Sequence, residues 1–469
     1  MTFLDRLAAI VGPANLLCGK DCAPYARDWM GHYQWQPLAV VRPGTCAEVA
    51  AVMKLAYAEG RPVVPIAGRT GLTGATFADG LLMLSVERLN RIRSVKSEAR
   101  LAIVEAGVIL SQLHDAAERE GLYFPLWFGA RGSAMIGGVL STNAGGSNVL
   151  RYGSTRALCL GLEVVLADGR VMNLMSELHK DNSGYDLKQL FIGAEGTLGI
   201  ITAAVMKLVP APRAHGTAVV AAASPDIAAV ILNRLQERSG GLVEAFEFMP
   251  RSYQERLHKV RPDLGLPFDA VNDVSILIEL GAVAERDSQP DADGGVPIVG
   301  LLEQTLAELM DEGLVLDARV ARSEAQRRVI WARREAAAEI MFGAGPTVDT
   351  DISVPLDKVG PFLAQALDQL QVIDPGAQTV TVAHMGDGNL HYSVILTADD
   401  EALKARVVEG VEDIVAALHG SFSAEHGIGL SKKGSMARRK DPVALDVMRA
   451  VKAALDPAGI LNPGKVIPD

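Results

Sequence analysis

The chain has 469 residues, which is too many for one compact core and predicts two or three domains. Hydrophobic residues make up 49% and charged residues 22%, as in an ordinary soluble globular protein. The formal net charge of −11 argues against nucleic acid or an anionic membrane surface as a partner. An anionic ligand would have to be held locally, by basic side chains, a metal or backbone N–H groups.

Cysteine usage and the N-terminus indicate an intracellular protein. The cysteines are Cys18, Cys22, Cys46 and Cys159. They form no Cys-x-x-Cys or zinc-ribbon pattern, so we interpret them as reduced packing residues. The first apolar stretch is broken by glycine, proline and asparagine, which argues against a signal peptide, and no apolar run reaches the length of a membrane span. We therefore expect a cytoplasmic protein without a membrane span.

The first half of the chain has the pattern of an α+β domain. Residues 1–36 are predicted as a mostly helical lead-in, and helices are predicted at Thr45–Glu59 and Ile109–Glu120. The predicted strands are Leu38–Val41, Pro62–Ala67, Leu81–Ser85, Leu101–Ala106, 161–171 and 199–209. Short apolar strands between glycine turns, with helices separating some of them, predict an α+β domain over residues 37–211.

Residues 212–425 are predicted to form a second domain. The predicted strands are Val274–Leu280, 314–320, 347–354, 378–384 and 391–396. The predicted helices are 299–312, 323–342, 356–371 and 400–418. Paired strands with helices between them predict a ferredoxin-like α+β domain, with an antiparallel sheet and helices on one face. The acidic stretch Glu285–Gly295 is predicted as an exposed loop, and residues 426–469 as a helical C-terminal segment.

Three glycine-dense stretches lie in the first domain, at Gly68–Gly74, Gly132–Gly146 and Gly193–Ile201. Such loops present successive backbone N–H groups without a Cβ in the way, which suits a pyrophosphate. None has the Gly-x-Gly-x-x-Gly spacing of a Rossmann fingerprint, and each alone is also typical of a structural turn. Three in one domain indicate a large nucleotide-like cofactor. The stretch Gly459–Lys465 only mimics a P-loop, because Val466 stands where Ser or Thr is required.

Three of the nine histidines lie in two motifs near the C-terminus. A Gly-Asp-Gly-Asn turn separates His384 from His391 and can fold one flank back on the other, so that the two imidazoles converge. With Glu425 they make two histidines and one carboxylate, a common ligand set for a catalytic divalent metal with open positions. His426 stands beside this set as a base. The alternative is that these are ordinary turn and strand residues.

The order of these motifs resembles the FAD-linked oxidoreductases of the vanillyl-alcohol-oxidase/PCMH type. It is closest to the branch with D-lactate dehydrogenase, the glycolate oxidase flavin subunit and D-2-hydroxyglutarate dehydrogenase. The resemblance covers about Pro37 to Val466. Its most specific stretches are Asn143–Gly146, Leu150–Gly153, Lys180–Leu187, Gly193–Ile201, His384–His391, Glu425–Gly429 and Leu461–Lys465. It implies a PCMH-type FAD-binding domain, a substrate or cap domain, and a C-terminal segment that returns to the flavin.

The resemblance also implies which residues bind FAD. The first two glycine stretches would hold the pyrophosphate, Asn143–Gly146 would lie along the flavin, and the third stretch would bind near the adenosine. The implied residues are Gly68, Arg69, Thr70, Gly71, Leu72, Ser133, Gly137, Gly138, Thr142, Asn143, Gly145, Gly146, Gly196, Ile200, Ile201 and Asn462. The first flavin loops contain no histidine that would suggest covalent attachment, so we expect non-covalent FAD.

The same resemblance implies an activity. His384, His391 and Glu425 match the ligands of a metal, zinc or manganese, while His426 matches the general base and Arg334 a substrate-carboxylate arginine. A metal can lower the pKa of a 2-hydroxy acid's hydroxyl, a neutral histidine can take the proton, and flavin N5 can accept the hydride. We therefore expect an FAD- and divalent-metal-dependent dehydrogenase that oxidises a D-2-hydroxy acid to the 2-keto acid. An electron-transfer flavoprotein or a quinone pathway is the implied electron acceptor, and a homodimer is compatible with the sequence.

Two other functions stay open, a metal-independent FAD alcohol or aldonolactone-type oxidase and a non-catalytic flavin-binding subunit. Three positions depart from the hydroxyglutarate-type members. Asp349 stands where a lysine is common, Ser393 where an asparagine is common, and Ala338 where a threonine is common. An anion in place of a distal cation disfavours a dicarboxylate and predicts a substrate with a neutral or cationic tail, if Asp349 faces the pocket.

Overall fold

The computed structural model describes residues 1–341 and 344–468. Up to residue 211 the helices are α1 (Phe3–Val11), α2 (Cys46–Ala58), α3 (Leu110–Glu118), α4 (Ile136–Thr142), α5 (Val149–Tyr152), α6 (Thr155–Leu158) and α7 (Lys188–Phe191). The strands are β1 (Leu16–Leu17), β2 (Ala39–Val41), β3 (Val63–Ile66), β4 (Leu82–Ser85), β5 (Ile92–Lys96), β6 (Leu101–Glu105), β7 (Leu122–Tyr123), β8 (Cys159–Val165), β9 (Val171–Leu174), β10 (Ile200–Lys207) and β11 (Val209–Pro210).

After residue 211 the strands are β12 (Ala214–Ala222), β13 (Val243–Pro250), β14 (Val274–Ala282), β15 (Val315–Val320), β16 (Thr347–Ser353), β17 (Gln378–His384) and β18 (Asn389–Ile395). The helices are α8 (Ala228–Ser239), α9 (Arg251–Val260), α10 (Glu285–Ser288), α11 (Pro297–Asp311), α12 (Glu324–Glu335), α13 (Ala337–Met341), α14 (Val359–Ile373), α15 (Glu401–Ala417), α16 (Lys433–Arg439) and α17 (Pro442–Leu455). No helix in the described ranges is long and apolar enough to cross a membrane.

The chain folds into two compact units. The first contains Met1–Gly145, Gly153–Ala211 and the residues from Glu425 onward. The second contains Gly146–Tyr152 and Pro212–Ala424.

The first unit is built on two sheets. One has the order β1-β2-β4-β3, with β2 and β3 both parallel to β4, and the other is antiparallel with the order β5-β6-β10-β8-β9. Helix α2 begins after Thr45, whose side chain accepts the N–H of Glu48. Its apolar positions recur at helical spacing and bury against β2, β3 and β4. A parallel bridge between Val63 and Leu461 ties the C-terminal segment to β3.

The second unit is one seven-stranded antiparallel sheet with the order β15-β12-β14-β13-β17-β18-β16. Because side chains alternate along a strand, the two faces differ in character. One face is apolar, with Phe246 and Phe248 among its residues, and it packs against α8, α11, α14 and α15. The opposite face carries Glu247 and His384 as well as apolar residues that pack against α9, α12 and α13. The prediction of helices on one face only is therefore wrong, since both faces are covered.

Several predicted elements need correction. Residues 161–171 are not one strand, because a turn at Leu166–Arg170 separates β8 from β9. The predicted loop Glu285–Gly295 begins with the short helix α10. The predicted helix 323–342 is split into α12 and α13, and its last residue, Phe342, lies outside the described residues. Strands β1, β5, β7, β12 and β13 were not predicted. For β12 and β13 the reason is that almost fully buried strands lack a clear alternation of polar and apolar residues.

Candidate functional site

The two histidines of the Gly-Asp-Gly-Asn motif lie on a β-hairpin. His384 ends β17 and pairs with Asn389 at the start of β18, while His391 pairs with Val382. Both side chains therefore lie on the same face of the sheet, and their ring centroids are 5.4 Å apart. The convergence predicted from the turn is confirmed.

A buried carboxylate holds the first histidine. Glu247 lies on β13 directly opposite His384 and is fully buried. Its Oε1 lies 2.9 Å from Nδ1 of His384, and its Oε2 accepts a hydrogen bond of 2.8 Å from Nε of Arg334. Burial alone would raise the pKa of Glu247, but the neighbouring His384 and Arg334 outweigh it and lower the pKa to about 2.

The second histidine also has a carboxylate beside it. Nδ1 of His391 lies 3.8 Å from Oδ1 of Asp351, a buried residue on β16 that also accepts a 3.0 Å hydrogen bond from the Asn389 side chain. A carboxylate at Nδ1 orients an imidazole so that Nε2 becomes the metal ligand. His384 is thus oriented by a hydrogen-bonded carboxylate, whereas Asp351 lies near His391 but beyond hydrogen-bond distance. The two converging imidazoles of the hairpin fit a divalent metal.

Arg334 combines burial with unused hydrogen-bonding capacity. It is 8% exposed, and its Nη2 has no hydrogen-bond partner within the part of the chain that the structure describes. Arg327, Trp331 and Arg334 follow each other at helical spacing on one face of α12. The first two bind Glu279 of β14, and Arg334 binds Glu247. Two strand carboxylates thus hold this helix over the sheet.

The three positions that depart from the hydroxyglutarate-type pattern lie on β16, β18 and α13. Asp349 pairs with Ser393 across β16 and β18, one pair of same-face residues away from Asp351 and His391. Asp349 therefore lies on the same sheet face as both histidines and is exposed. Ala338 is an exposed residue of α13.

Glu425 and His426 belong to the first unit. The residue before them, Ala424, donates its N–H to the carbonyl of Asp351 within the second unit. Within the first unit, the Glu425 carboxylate lies against Gly145, where an added Cβ would overlap its Oε1. A larger residue at this point of the predicted flavin stretch would therefore displace the Glu425 side chain.

The segment after His426 is anchored by a buried carboxylate. Glu195 accepts the backbone N–H of Ile428 at 2.7 Å and that of Gly429 at 3.0 Å. The carbonyl of Thr73 accepts the N–H of Leu430, and the Thr73 hydroxyl lies 3.4 Å from the carbonyl of His426. The first and third glycine stretches therefore both hold the segment that carries the predicted base.

The predicted FAD residues lie in the first unit, apart from Gly146, which the second unit contains. The first two glycine stretches are in contact, because a Cβ on Gly68 would overlap the carbonyl of Ser133. Left-handed backbone occurs at five non-glycine residues of these loops and of the C-terminal segment, namely Arg69, Asn143, Glu195, Asn462 and Val466. Such conformations are uncommon and cluster where a ligand is clamped.

Asn462 provides a test of whether the loops fit a flavin. Its Nδ2 donates to the carbonyls of Ala75 and Glu195 at 3.1 and 2.8 Å. Its Oδ1 is buried and lacks a hydrogen-bond partner among the described residues. A buried acceptor needs a donor, and a ring N–H of a flavin can supply one. The cradle therefore fits FAD.

Sequence reasoning missed Glu247, Asp351 and Glu195. The one signal that Glu247 left is shared with Glu244, because β13 contains these two carboxylates among apolar residues. A charged residue in such a run needs a partner when it is buried. The identity of that partner was not readable, because His384 is 137 residues away.

Comparison with known proteins defines the class. Residues 37–175 match the FAD binding domain, and residues 211–466 match the FAD linked oxidases, C-terminal domain. Among solved structures, p-cresol methylhydroxylase with substrate bound has a TM-score of 0.74 at 18% identity, covering 100% of this chain and 96% of that one. An alkyldihydroxyacetonephosphate synthase has a TM-score of 0.72 at 16% identity, covering 98% of this chain and 84% of that one. The fold is thus the PCMH-type FAD-binding fold, and the α+β prediction is confirmed.

The sequence relatives are more specific. The mitochondrial D-2-hydroxyglutarate dehydrogenase of Bos taurus is 37% identical, over 99% of this chain and 84% of the relative. The D-2-hydroxyglutarate dehydrogenase of Stutzerimonas stutzeri (strain A1501) is 35% identical, over 99% of this chain and 98% of the relative. The chain therefore belongs to the FAD-linked oxidases, in the D-2-hydroxy-acid dehydrogenase branch that includes these relatives. The family and enzyme class predicted from the motifs are confirmed.

Proposed function

We propose that this enzyme oxidises a D-2-hydroxy acid to the 2-keto acid, with FAD and a divalent metal, zinc or manganese. The proposed metal ligands are His384, His391 and Glu425. When bound, FAD would supply a hydride acceptor at N5, and the metal would supply a Lewis acid for the substrate oxygens. The observation that carries the proposal is the His384–His391 pair at 5.4 Å, on the same sheet face as the buried carboxylate that binds Arg334.

The chain's own residues would have separate roles in binding and oxidising the substrate. Arg334 would bind the substrate carboxylate, because its buried Nη2 needs an acceptor and a guanidinium pairs with carboxylates in a fixed geometry. His426 would take the proton from the hydroxyl oxygen, while the hydride leaves the carbon that bears the hydroxyl. Glu195 and Thr73 would hold the backbone around His426 in place. Alignment of a base, a carboxylate clamp and a hydride acceptor around the substrate would lower the barrier to its oxidation.

The relatives are named for D-2-hydroxyglutarate, but this chain has Asp349 where a lysine is common in the hydroxyglutarate-type members. Asp349 lies on the sheet face of His391, about 7 Å further along the strand at the usual rise per residue. A carboxylate there would repel the second carboxylate of a dicarboxylic acid. We propose a D-2-hydroxy acid with a neutral or cationic tail as the substrate. An electron-transfer flavoprotein or a quinone pathway is the proposed acceptor, with a homodimer in the cytoplasm as the proposed form.

Anaerobic reduction of the FAD-loaded protein by a panel of D- and L-2-hydroxy acids tests the reaction class. We expect a D-acid to bleach the visible flavin band and its L-enantiomer to leave the band unchanged. Bleaching by simple alcohols or lactones instead of acids would point to the metal-independent oxidase. A flavin that none of these compounds reduces would point to a non-catalytic flavin-binding subunit.

A further inference from the structure

One carboxylate contacts two residues that the proposed function uses for different tasks. Glu247 binds His384, a proposed metal ligand, with one oxygen and Arg334, the proposed substrate arginine, with the other. Glu247 is fully buried, and the residues at both ends of its carboxylate are 8% exposed. A buried charge with so little solvent around it has few alternative arrangements, so its two contacts are fixed together.

We infer that Glu247 is a positioning residue that couples metal binding to substrate-carboxylate binding. This inference rests on the proposed function and adds a residue to it. The bond to Nδ1 of His384 sets the tautomer and the ring orientation, so that Nε2 is presented to the metal. The bond to Nε of Arg334 fixes the orientation of the guanidinium, and the buried Nη2 beside it still has hydrogen-bonding capacity for the substrate.

Strand pairing alone brings Glu247 next to His384. Glu247 and His384 are direct cross-strand partners on β13 and β17, which sets their Cβ atoms about 5 Å apart before any side chain is placed. The end of α12 is fixed independently, because the Tyr253 hydroxyl donates to the carbonyl of Arg333 at 2.6 Å. Metal ligand and substrate arginine thus come from two rigid elements that meet at one carboxylate.

The same face contains a natural comparison. Glu279 on β14 is buried like Glu247 and also binds α12. It accepts from Nε and Nη2 of Arg327 at 2.7 Å each and from Nε1 of Trp331 at 2.9 Å. Neither His384 nor Arg334 is among these partners. If Glu247 only fastened α12 to the sheet, removing the charge from Glu247 or from Glu279 would have the same consequences.

The two substitutions therefore have different expected effects. In Glu247→Gln the side chain keeps its size, but its amide nitrogen must face one of two donors, Nδ1 of His384 or Nε of Arg334. We expect Zn²⁺ affinity to fall about tenfold to a hundredfold, the range for loss of a carboxylate behind a metal-binding histidine. Affinity for the 2-keto acid product should fall as well. In Glu279→Gln the affinities for Zn²⁺ and for the 2-keto acid should stay within about threefold of the wild-type values. The reason is that Glu279 binds neither His384 nor Arg334.

The experiment measures Zn²⁺ and Mn²⁺ binding to the FAD-loaded full-length protein by competition with a chromophoric chelator. Binding of the 2-keto acid is measured by its perturbation of the flavin spectrum. A loss in Glu247→Gln that Glu279→Gln does not share supports the coupling. Equal affinities in the two variants overturn it. Wild-type protein that binds neither metal would instead refute the proposed metal site, which separates the two failures.

A second variant serves if Glu247→Gln does not retain FAD. Glu247→Asp keeps the charge but is one methylene shorter, so it reaches only one of its two partners. The coupling predicts that it binds metal or 2-keto acid about tenfold more weakly than wild type. Wild-type affinity for both would overturn the inference.

Discussion

The carboxylate of Glu195 accepts the backbone N–H of Ile428 at 2.7 Å, although 233 residues separate them in the chain. The same carboxylate accepts the N–H of Gly429, and the backbone carbonyl of Glu195 accepts from Asn462. One residue of the third glycine stretch thus fixes both the segment after His426 and the C-terminal segment proposed to contact the flavin. It links the proposed cofactor loops to the proposed base.

Replacing Glu195 should therefore affect both stability and catalysis. In Glu195→Ala two backbone N–H groups lose their acceptor, so we expect the free energy of unfolding to fall by about 3 kcal/mol. The turnover number should fall as well, because His426 loses its support. Glu195→Gln keeps one acceptor oxygen and should lose less in both. Thermal unfolding and steady-state kinetics of the two variants measure these effects, and a stable, fully active Glu195→Ala would contradict this role.

The same residue predicts a pH dependence. Burial raises the pKa of the Glu195 carboxyl, and its two backbone hydrogen bonds oppose that rise only in part. The folded state therefore keeps this proton to higher pH than the unfolded state, so the group's contribution to stability is lost as pH rises from about 4.5 through the raised value. We expect the melting temperature of wild type, relative to Glu195→Gln, to be higher at pH 4.5 than at pH 7. A constant difference across this range would contradict the assignment.

Arg334 should act through its geometry as well as through its charge. In Arg334→Lys the positive charge stays, but one amine cannot bind Glu247 and a substrate carboxylate with two fixed edges. We expect KM for the D-2-hydroxy acid to rise about tenfold to a hundredfold, the equivalent of about 1.4–2.7 kcal/mol. Arg333→Lys is the matched control, because Arg333 binds the carbonyls of Leu264 and Gly265. An equal rise in KM for both variants would refute the substrate role.

Asp349 should set substrate preference. Charge reversal in Asp349→Lys places a cation on the sheet face of the two histidines, so we expect the kcat/KM ratio of D-2-hydroxyglutarate to a neutral-tailed D-acid to rise about tenfold or more. Asp317→Lys is the control, because Asp317 is partly exposed on β15, at the opposite edge of the same sheet. Unchanged preference in Asp349→Lys would show that this side chain does not meet the substrate tail.

Features that depend on residues close together in the sequence could be predicted, whereas those that depend on residues far apart in the sequence could not. The His384–His391 hairpin could be predicted because a four-residue turn determines it locally. The fold class and family could be predicted because the motifs occur in a recognisable order along the chain. Glu247 could not be assigned a role, since its importance arises only when β13 pairs with β17. Which residues lie on which face of the second unit's sheet could likewise not be predicted. The buried strand β12 shows no alternation of polar and apolar residues and was not predicted.

Flavin reduction by a D-2-hydroxy acid should require a metal held by His384, His391 and Glu425. The most direct test is the rate of anaerobic flavin reduction by the preferred acid before and after chelation, with the metal content determined by elemental analysis. We expect chelation to slow reduction at least a hundredfold while FAD stays bound, and added Zn²⁺ or Mn²⁺ to restore the rate. His384→Ala should be slow under all conditions. Undiminished flavin reduction in metal-free, FAD-loaded wild type would show that the reaction does not require the metal.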